Sequence, residues 1–392
     1  MNEVAYKRNV TIYRLYAMFS EPLFWGPILI MALQELAHMP LTDIYYMESF
    51  VLIVCVLLDI PMGALADVIG RKKTLIIGRV FLSLSMYFFA TMSNSLEAWI
   101  GNILWAIGYT MQSGADTSFL YDTLKEQGRE GEYRSIEGKS IGGRFFLFAF
   151  CSLLVGVLAK VDIRLPLYLS ACFVFIPLIS AFFIKEPAQA VHYSMKKQIL
   201  TLRQGIMFLM QSVEVRFMVF FAAFITCVSK VWFFTYNPYF KVVGLDVTYY
   251  GVVFFLLNIV AWLSSRYAYK VELYIGEGNC ILGMILCVGA PLIIMGLIPI
   301  EICAYLVLVQ NVVRGFMKPF IGDYLHRHIA TEIRATTMSI ESSFANMLSI
   351  IALASFGFLT SQVSLPQSLV ILGSITLVLG VFSSLLYQRL VE

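Results

Sequence analysis

Charged side chains are few in this sequence, and a handful lie inside long apolar runs, where an ionised group at a membrane centre costs about 2.5–3.5 kcal/mol. Glu21 stands about ten residues into the run 11–31, roughly 15 Å along a helix rising 1.5 Å per residue. Pro22 and Pro27 flank it, freeing backbone carbonyls and bending the chain. A carboxyl at that depth is placed to exchange a proton between the two sides, so Glu21 is the candidate proton carrier. Asp59 and Asp116 lie nearer one end of their runs and Glu48 nearer the other; each serves a proton path or faces water at a cavity mouth. Lys230 and Arg314 are the deepest cations, with Arg144 nearer a helix end. Lys230 and Arg314 would hold a carboxylate or phosphate of a solute, Arg through its fork and Lys as a point charge. The alternative is an ion pair with Glu21, Glu48 or Glu341 that joins helices. Arg14, Arg79 and Lys318 are read as snorkelling to an interface. Gln112, Asn237, Asn258, Gln310, Asn311 and Asn346 add uncharged polar groups. Trp25, Trp105, Trp232, Phe233 and Tyr236 offer an aromatic wall, although aromatic stripes also serve packing.

These residues must be held by a membrane scaffold. Of 392 residues 59% are hydrophobic and 14% charged, against about half and a quarter in soluble domains. That composition excludes a soluble enzyme, and a net charge of +3 is too dilute for a nucleic-acid partner. A crossing helix needs about 20 residues. Windows of that size fall at 11–31, 44–66, 74–92, 98–120, 141–159 and 165–184, then at 216–236, 248–267, 279–298, 302–324, 335–359 and 367–387. The fold class is therefore an all-α membrane protein of twelve transmembrane helices in two pseudo-symmetric six-helix bundles. The first bundle takes residues 1–185, a linker 186–214, and the second bundle 215–392. In the linker, Ile199, Leu202, Ile206, Leu209 and Val213 recur at helical spacing among Lys196, Lys197 and Arg203. This reads as an amphipathic helix on an anionic leaflet, or as a partly helical linker. With both termini cytoplasmic, the outer loops carry only Lys160, Arg164 and Lys241, and the inner segments carry the remaining loop cations, including Arg71, Lys72 and Lys73. The first run lacks a small-residue cleavage pattern and is read as retained.

After the second span comes Gly63-Ala64-Leu65-Ala66-Asp67-Val68-Ile69-Gly70-Arg71-Lys72-Lys73. Gly63 would let helices approach, Asp67 would accept from N–H groups at a helix start, and Gly70 would permit the turn. This segment resembles the signature loop of the major facilitator superfamily, in the same interval between spans two and three, and Arg334-Ala335-Thr336 before the eleventh span is similar to that superfamily too. The resemblance implies secondary transport by alternating access, with two halves rocking about a central site. It also implies that Asp67 faces the start of the eleventh helix and that Arg71 pairs with an acid ending the fourth, here Asp122; these contacts would lock the outward-facing state. The second half's matching loop, read as Ser265-Arg266-Tyr267-Ala268-Tyr269-Lys270, lacks the glycines and the acid.

The superfamily's proton-driven drug antiporters often carry R-x-x-Q-G in the fourth span. Here Gln112 aligns, but Tyr109 and Ser113 occupy the Arg and Gly positions. Their fifth-span glycine-proline run is reduced to Gly156 within 151–160. Gly138-Lys139-Ser140 ends like a phosphate-binding loop, yet Tyr133 stands where the first glycine belongs and Glu130, Glu132 and Glu137 would repel phosphate. The seven cysteines sit in or beside apolar stretches without a C-x-x-C pair, and read as small buried hydrophobes. No metal site, cofactor or enzymatic centre is expected. The sequence thus reads as a monomeric transporter of a small molecule, coupled to protons and set in the cell membrane. Glu21, Asp59 and Asp116 would serve the proton; Lys230, Arg314, Trp232, Tyr236, Gln112, Asn311 and Glu341 the solute; Gly63, Asp67, Gly70, Arg71 and Asp122 the gate. Export of an amphipathic compound is the leading expectation, with uptake of an anionic or zwitterionic solute as the alternative.

Overall fold

The computed structural model describes residues 3–187, 207, 212–328 and 331–391. The linker helix expected over 199–213 lies outside the described residues, apart from Met207 and the segment from Ser212 on. In chain order the α-helices are α1 (Glu3–Met18), α2 (Leu29–Glu35), α3 (Leu41–Ile69), α4 (Arg71–Thr91), α5 (Ser95–Gln112), α6 (Ala115–Lys125), α7 (Tyr133–Val161) and α8 (Leu165–Phe182). They continue as α9 (Val213–Val242), α10 (Val247–Ile275), α11 (Glu277–Leu297), α12 (Val307–His328), α13 (Thr331–Gln362) and α14 (Leu365–Val391).

Among the described residues, nine helices are long and apolar enough to cross a membrane. The expected first, fourth and tenth spans are not among them, each for a local reason. The first is divided: α1 stops at Met18 and the chain is non-helical through the Ser20-Glu21-Pro22 region until Leu29. The prolines therefore break the helix where a bend was expected. The fourth is divided between α5 and α6 at Ser113-Gly114, where Gly114 has φ +78°. The tenth, α12, is unbroken but carries Arg314, Lys318, Asp323 and Arg327. Gly138-Lys139-Ser140 lies within α7, so no phosphate-binding loop forms there.

The chain divides into two compact units, Met1–Pro40 with Phe50–Met195 and Leu41–Ser49 with Lys196–Glu392. In unit 1, α1 packs on α7 and α4 on α8; in unit 2, α9 packs on α13 and α11 on α14. The two units thus repeat one pairing scheme. Helices approach closely where side chains are small, as expected when lipid leaves van der Waals packing as the main attraction. On α4 and α5, Gly78 and Gly108 face each other, and a Cβ on Gly108 would lie 2.7 Å from the Gly78 carbonyl oxygen. The core of unit 1 gathers Tyr6, Tyr13 and Tyr16 of α1, Leu75 of α4, and Phe119 and Leu124 of α6.

Candidate functional site

In unit 1 the broken first span becomes a polar junction. Arg144 of α7 reaches it, its Nη1 donating to Ser20 Oγ at 3.1 Å and lying 3.3 Å from Glu21 Oε1. Arg144 is thus the partner of Glu21, which remains half exposed in this unit. From α4, Arg79 Nη1 donates to the carbonyls of Ser20 at 3.1 Å and Phe19 at 3.4 Å, and its guanidinium lies 4.2 Å from the Tyr16 ring centroid. Those carbonyls belong to the end of α1, where no further helical N–H follows to bond them.

Arg79 is 0% exposed, so it does not snorkel to an interface as expected. Depth along α4 was legible in the sequence, but the face was not. Leu75, Leu82, Ser83 and Met86 share the Arg79 face and are buried, whereas Ile77, Val80, Leu84 and Tyr87 are exposed. The exposed face is apolar and the mixed face is packed against protein.

Gln112, expected to bind solute, accepts from the Tyr16 hydroxyl at 2.6 Å and donates back to the Gly108 carbonyl at 3.1 Å. Its oxygen thus ties α5 to α1, while its nitrogen folds back onto the backbone of α5 itself. Asp116 opens α6 with Oδ1 accepting from the Thr117 N–H at 2.7 Å, within electrostatic reach of Arg79 and Arg144. Asp59 is exposed on α3. Of the expected aromatic wall, Trp25 and Trp105 belong here: Trp105 stacks on Tyr109 at 4.8 Å, and Trp25 lies 6.2 Å from Trp105.

Unit 2 holds a cavity of about 300 Å³ lined by Thr226, Lys230, Lys318, Glu341, Ser342 and Asn346. Lys230 Nζ donates to Asn346 Oδ1 at 2.6 Å, joining α9 to α13. Lys318, expected to snorkel, lines this cavity from α12. Beyond it lies an aromatic cluster: Trp232 packs on Tyr236 at 4.7 Å, Phe233 on Tyr236 at 6.0 Å, and Arg314 lies over the Phe233 ring at 5.8 Å. Gln310 and Asn311 precede Arg314 by one helical turn and are fully buried. Their amide atoms, Trp232 Nε1, the Tyr236 hydroxyl and Asn237 Oδ1 have no hydrogen-bond partner among the described residues. Buried polar atoms are nearly always bonded, so this concentration of exceptions needs an explanation.

The signature turn is built around Gly70, at φ +96° and ψ 155°, a region L side chains seldom adopt. Arg71 Nη1 pairs with Asp67 at 2.8 Å, and Arg71 Nε lies 3.7 Å from Asp122, the pairing that the resemblance implied. Asp122 lies just past the expected fourth span; burial raises its carboxyl above the ordinary aspartate value while the Arg71 guanidinium pulls it back. Among the described residues, a Cβ on Gly63 would meet nothing within 4 Å. The first N–H groups of α4, those of Arg71 and Lys72, donate to Glu186 at 2.7 and 2.8 Å, so Glu186 caps this helix. Glu186 escaped the sequence reading because it is distant in the chain. It is brought there by Asn9, whose amide donates to the Lys185 carbonyl at 2.8 Å and accepts from the Lys185 N–H at 3.0 Å.

The matching turn of unit 2 is also displaced from its expected place. Residues 265–270 lie inside α10, which contains no breaker until Gly276, at φ +81° and ψ 162°. The residue after that glycine is Glu277, and it pairs at 2.8 Å with Arg327 near the end of α12. Arg327 also meets Glu272 at 2.5 Å and Asp323 at 3.0 Å, while the Tyr387 hydroxyl donates to Glu277 at 2.6 Å. The two turns thus share a backbone shape and a pairing scheme with the charges exchanged: Arg71 with Asp122 in one, Glu277 with Arg327 in the other.

No curated protein sequence matches the chain. Among solved structures, the nucleoside transporter NupG is similar at 12% identity with a TM-score of 0.79, each chain covered to 100%. A bacterial homologue of the human lysosomal transporter Spinster matches at 13% identity and a TM-score of 0.75, covering 98% of this chain and 96% of that one. A D-xylose-proton symporter matches at 12% identity and a TM-score of 0.73, covering 96% of each. Likeness at such identity speaks for the fold alone. The profile of the Major Facilitator Superfamily matches residues 12–317. The chain belongs to the Major Facilitator Superfamily, whose members are multi-pass membrane transporters rather than enzymes.

Proposed function

We propose that this transporter takes up a small zwitterionic or anionic solute together with protons, by alternating access across the cell membrane. The observation that carries the reading is the cavity in unit 2, where Lys230, Lys318 and Glu341 bring two cations and a carboxylate to about 300 Å³. A purely amphipathic cargo has no use for charges whose desolvation must be offset. Gln310, Asn311, Trp232 and Tyr236, whose buried polar atoms have no hydrogen-bond partner among the described residues, are the groups that a polar solute would bond once the unit opens. Arg314 would take a carboxylate through its fork. The similar folds of a nucleoside transporter, a D-xylose-proton symporter and a transporter in complex with a conjugated peptide agree with polar cargo. In this reading the chain makes twelve crossings in two bundles with both termini cytoplasmic, and the solute site is on the second bundle. Glu21, paired with Arg144, carries the proton, with Asp59 and Asp116 on its path.

A thermal-shift screen of the purified protein tests the cargo class, since a bound ligand raises apparent stability. Amino acids, dipeptides and small carboxylates are expected to stabilise it, and Lys230→Gln to remove the effect. Export of an amphipathic compound remains the second reading, favoured by the Trp232, Phe233 and Tyr236 cluster. Stabilisation by hydrophobic cations alone would favour it. With a stabilising solute in proteoliposomes, Glu21→Gln should abolish accumulation driven by a pH gradient while leaving counterflow exchange; undiminished accumulation would remove Glu21 from coupling.

A further inference from the structure

We propose that Arg79 is a positioning residue for proton coupling: it ties off the carbonyl end of α1 and so fixes the break that presents Glu21 to Arg144. The guanidinium is permanently charged and 0% exposed on a membrane helix, a placement that must be compensated locally. Its Nη1 spans the carbonyls of Phe19 and Ser20, and its plane rests on the Tyr16 ring 4.2 Å away. Tyr16 is itself fixed by its hydroxyl, which donates to Gln112 at 2.6 Å. Ser20 is the shared piece: Arg79 holds its carbonyl while Arg144 donates to its hydroxyl and pairs with the next residue, Glu21. Two arginines from different helices therefore grip one dipeptide from opposite ends.

Without Arg79, the carbonyls of Phe19 and Ser20 lose their donor, and Pro22 bars the simplest substitute, a continued helix, because it lacks an N–H and keeps Glu21 out of the helical region. The backbone at Ser20 is then free to turn, and Glu21 turns with it away from Arg144. Other charged or titratable groups around the junction are Tyr13 and Tyr16 on α1, Cys55 and Asp59 on α3, Tyr109 on α5, Asp116 on α6, and Tyr133 and Glu137 on α7. None of them bonds the Phe19 or Ser20 carbonyl among the hydrogen bonds described, whereas Arg79 bonds both. Arg79 Nε and Nη2 have no hydrogen-bond partner among the described residues and Asp116 lies within electrostatic reach, so the directional contacts of the guanidinium are the two carbonyls and the Tyr16 ring.

The proposal rests on Glu21 as the proton carrier for its meaning in transport, but the grip is testable without a solute. Infrared spectra of the full-length protein in lipid nanodiscs, taken at one alkaline pH, give the carboxylate stretching band of Glu21 as the band lost in Glu21→Gln. Arg144→Gln should shift that band, because the facing cation is lost. Arg79→Gln should shift it in the same direction, and Arg79→Gln with Arg144→Gln should shift it no further than Arg144→Gln alone. Arg79→Lys keeps the charge but not the fork or the ring contact, and should also shift the band; it carries the test if the Gln variant fails to fold. Additive shifts, or a wild-type band in Arg79→Lys, would overturn positioning in favour of a charge effect alone. If Glu21→Gln leaves gradient-driven transport intact while the bands behave as stated, the proton-carrier reading falls and the grip stands. Unmoved bands beside a transport-dead Glu21→Gln give the reverse.

Discussion

Glu186 accepts the first two free N–H groups of α4 with both carboxylate oxygens, placing a negative charge on the positive end of a helix. Caps of this kind contribute about 1 kcal/mol. Glu186→Ala should therefore lower the melting temperature in detergent, and Glu186→Gln should lower it less. Gly70→Ala should cost about 1–3 kcal/mol for a side chain in this nearly glycine-only region, and its Cβ would also stand 3.0 Å from Glu186 Oε1. The two substitutions disturb one contact, so the double variant should lose less than the sum; strict additivity would show that Glu186 and the turn act separately. At this scale the sequence displayed types and not partners. Glu21, Lys230 and Arg314 stood out because a charge in an apolar run is visible in one dimension. Arg79 stood in such a run too, but its face was set by packing of α4, and Glu186 meets its helix across more than a hundred residues. Gln112 was legible as an inward polar group, and only the structure shows its amide consumed by Tyr16 and Gly108.

Helices were the most legible feature, because apolar windows of crossing length depend on composition alone. What a window cannot register is continuity. The runs 11–31 and 98–120 are apolar enough on average, yet the backbone breaks at Ser20-Glu21-Pro22 in one and at Gly114 in the other. Interrupted crossings expose backbone carbonyls and N–H groups at depth, and in transporters such breaks gather ion and substrate sites. Here the break at the end of α1 gathers Arg79, Arg144 and Glu21. Helix contacts were legible only as scattered glycines, and these differ sharply in what they support. A Cβ on Gly315 of α12 would overlap the Ala261 carbonyl on α10, whereas one on Gly283 of α11 would meet nothing within 4 Å among the described residues. Both sit in helices, where alanine is intrinsically better by about 1 kcal/mol. Gly283→Ala should be neutral or stabilising, while Gly315→Ala should lose about 1–3 kcal/mol through backbone displacement. Thermal unfolding of the two variants side by side checks this, and equal effects would mean that α10 and α12 do not meet as closely as described.

Across the whole chain, one pairing scheme appears twice with its charges exchanged, and the two versions differ in reserve. At the Gly70 turn Arg71 meets two carboxylates, Asp67 at 2.8 Å and Asp122, from the end of α6, at 3.7 Å, so neutralising Asp122 leaves one. At the Gly276 turn three carboxylates, of Glu272, Glu277 and Asp323, surround Arg327, so neutralising one leaves two. Burial raises the Asp122 carboxyl above the 3.8 of an ordinary aspartate, so it takes up a proton earlier than most as pH falls. Because its value is higher folded than unfolded, proton uptake by Asp122 favours the folded chain below that point, and the stability linked to it is lost only as pH rises through the window. Acidification should therefore loosen the Arg71–Asp122 contact without unfolding unit 1. Hydrogen–deuterium exchange of the full-length protein in nanodiscs, corrected for intrinsic rates, reads both turns at once. Between about pH 7 and about pH 4.5, protection should fall over residues 66–76 while 272–282 and the core of α4 keep theirs. Asp122→Asn should abolish the pH dependence of the first segment, because an amide cannot release its proton. Equal loss at both turns, or loss that spreads through α4, would mean that acid acts on the fold as a whole and not on this pair. The exchanged charges would otherwise give each half its own response to protons.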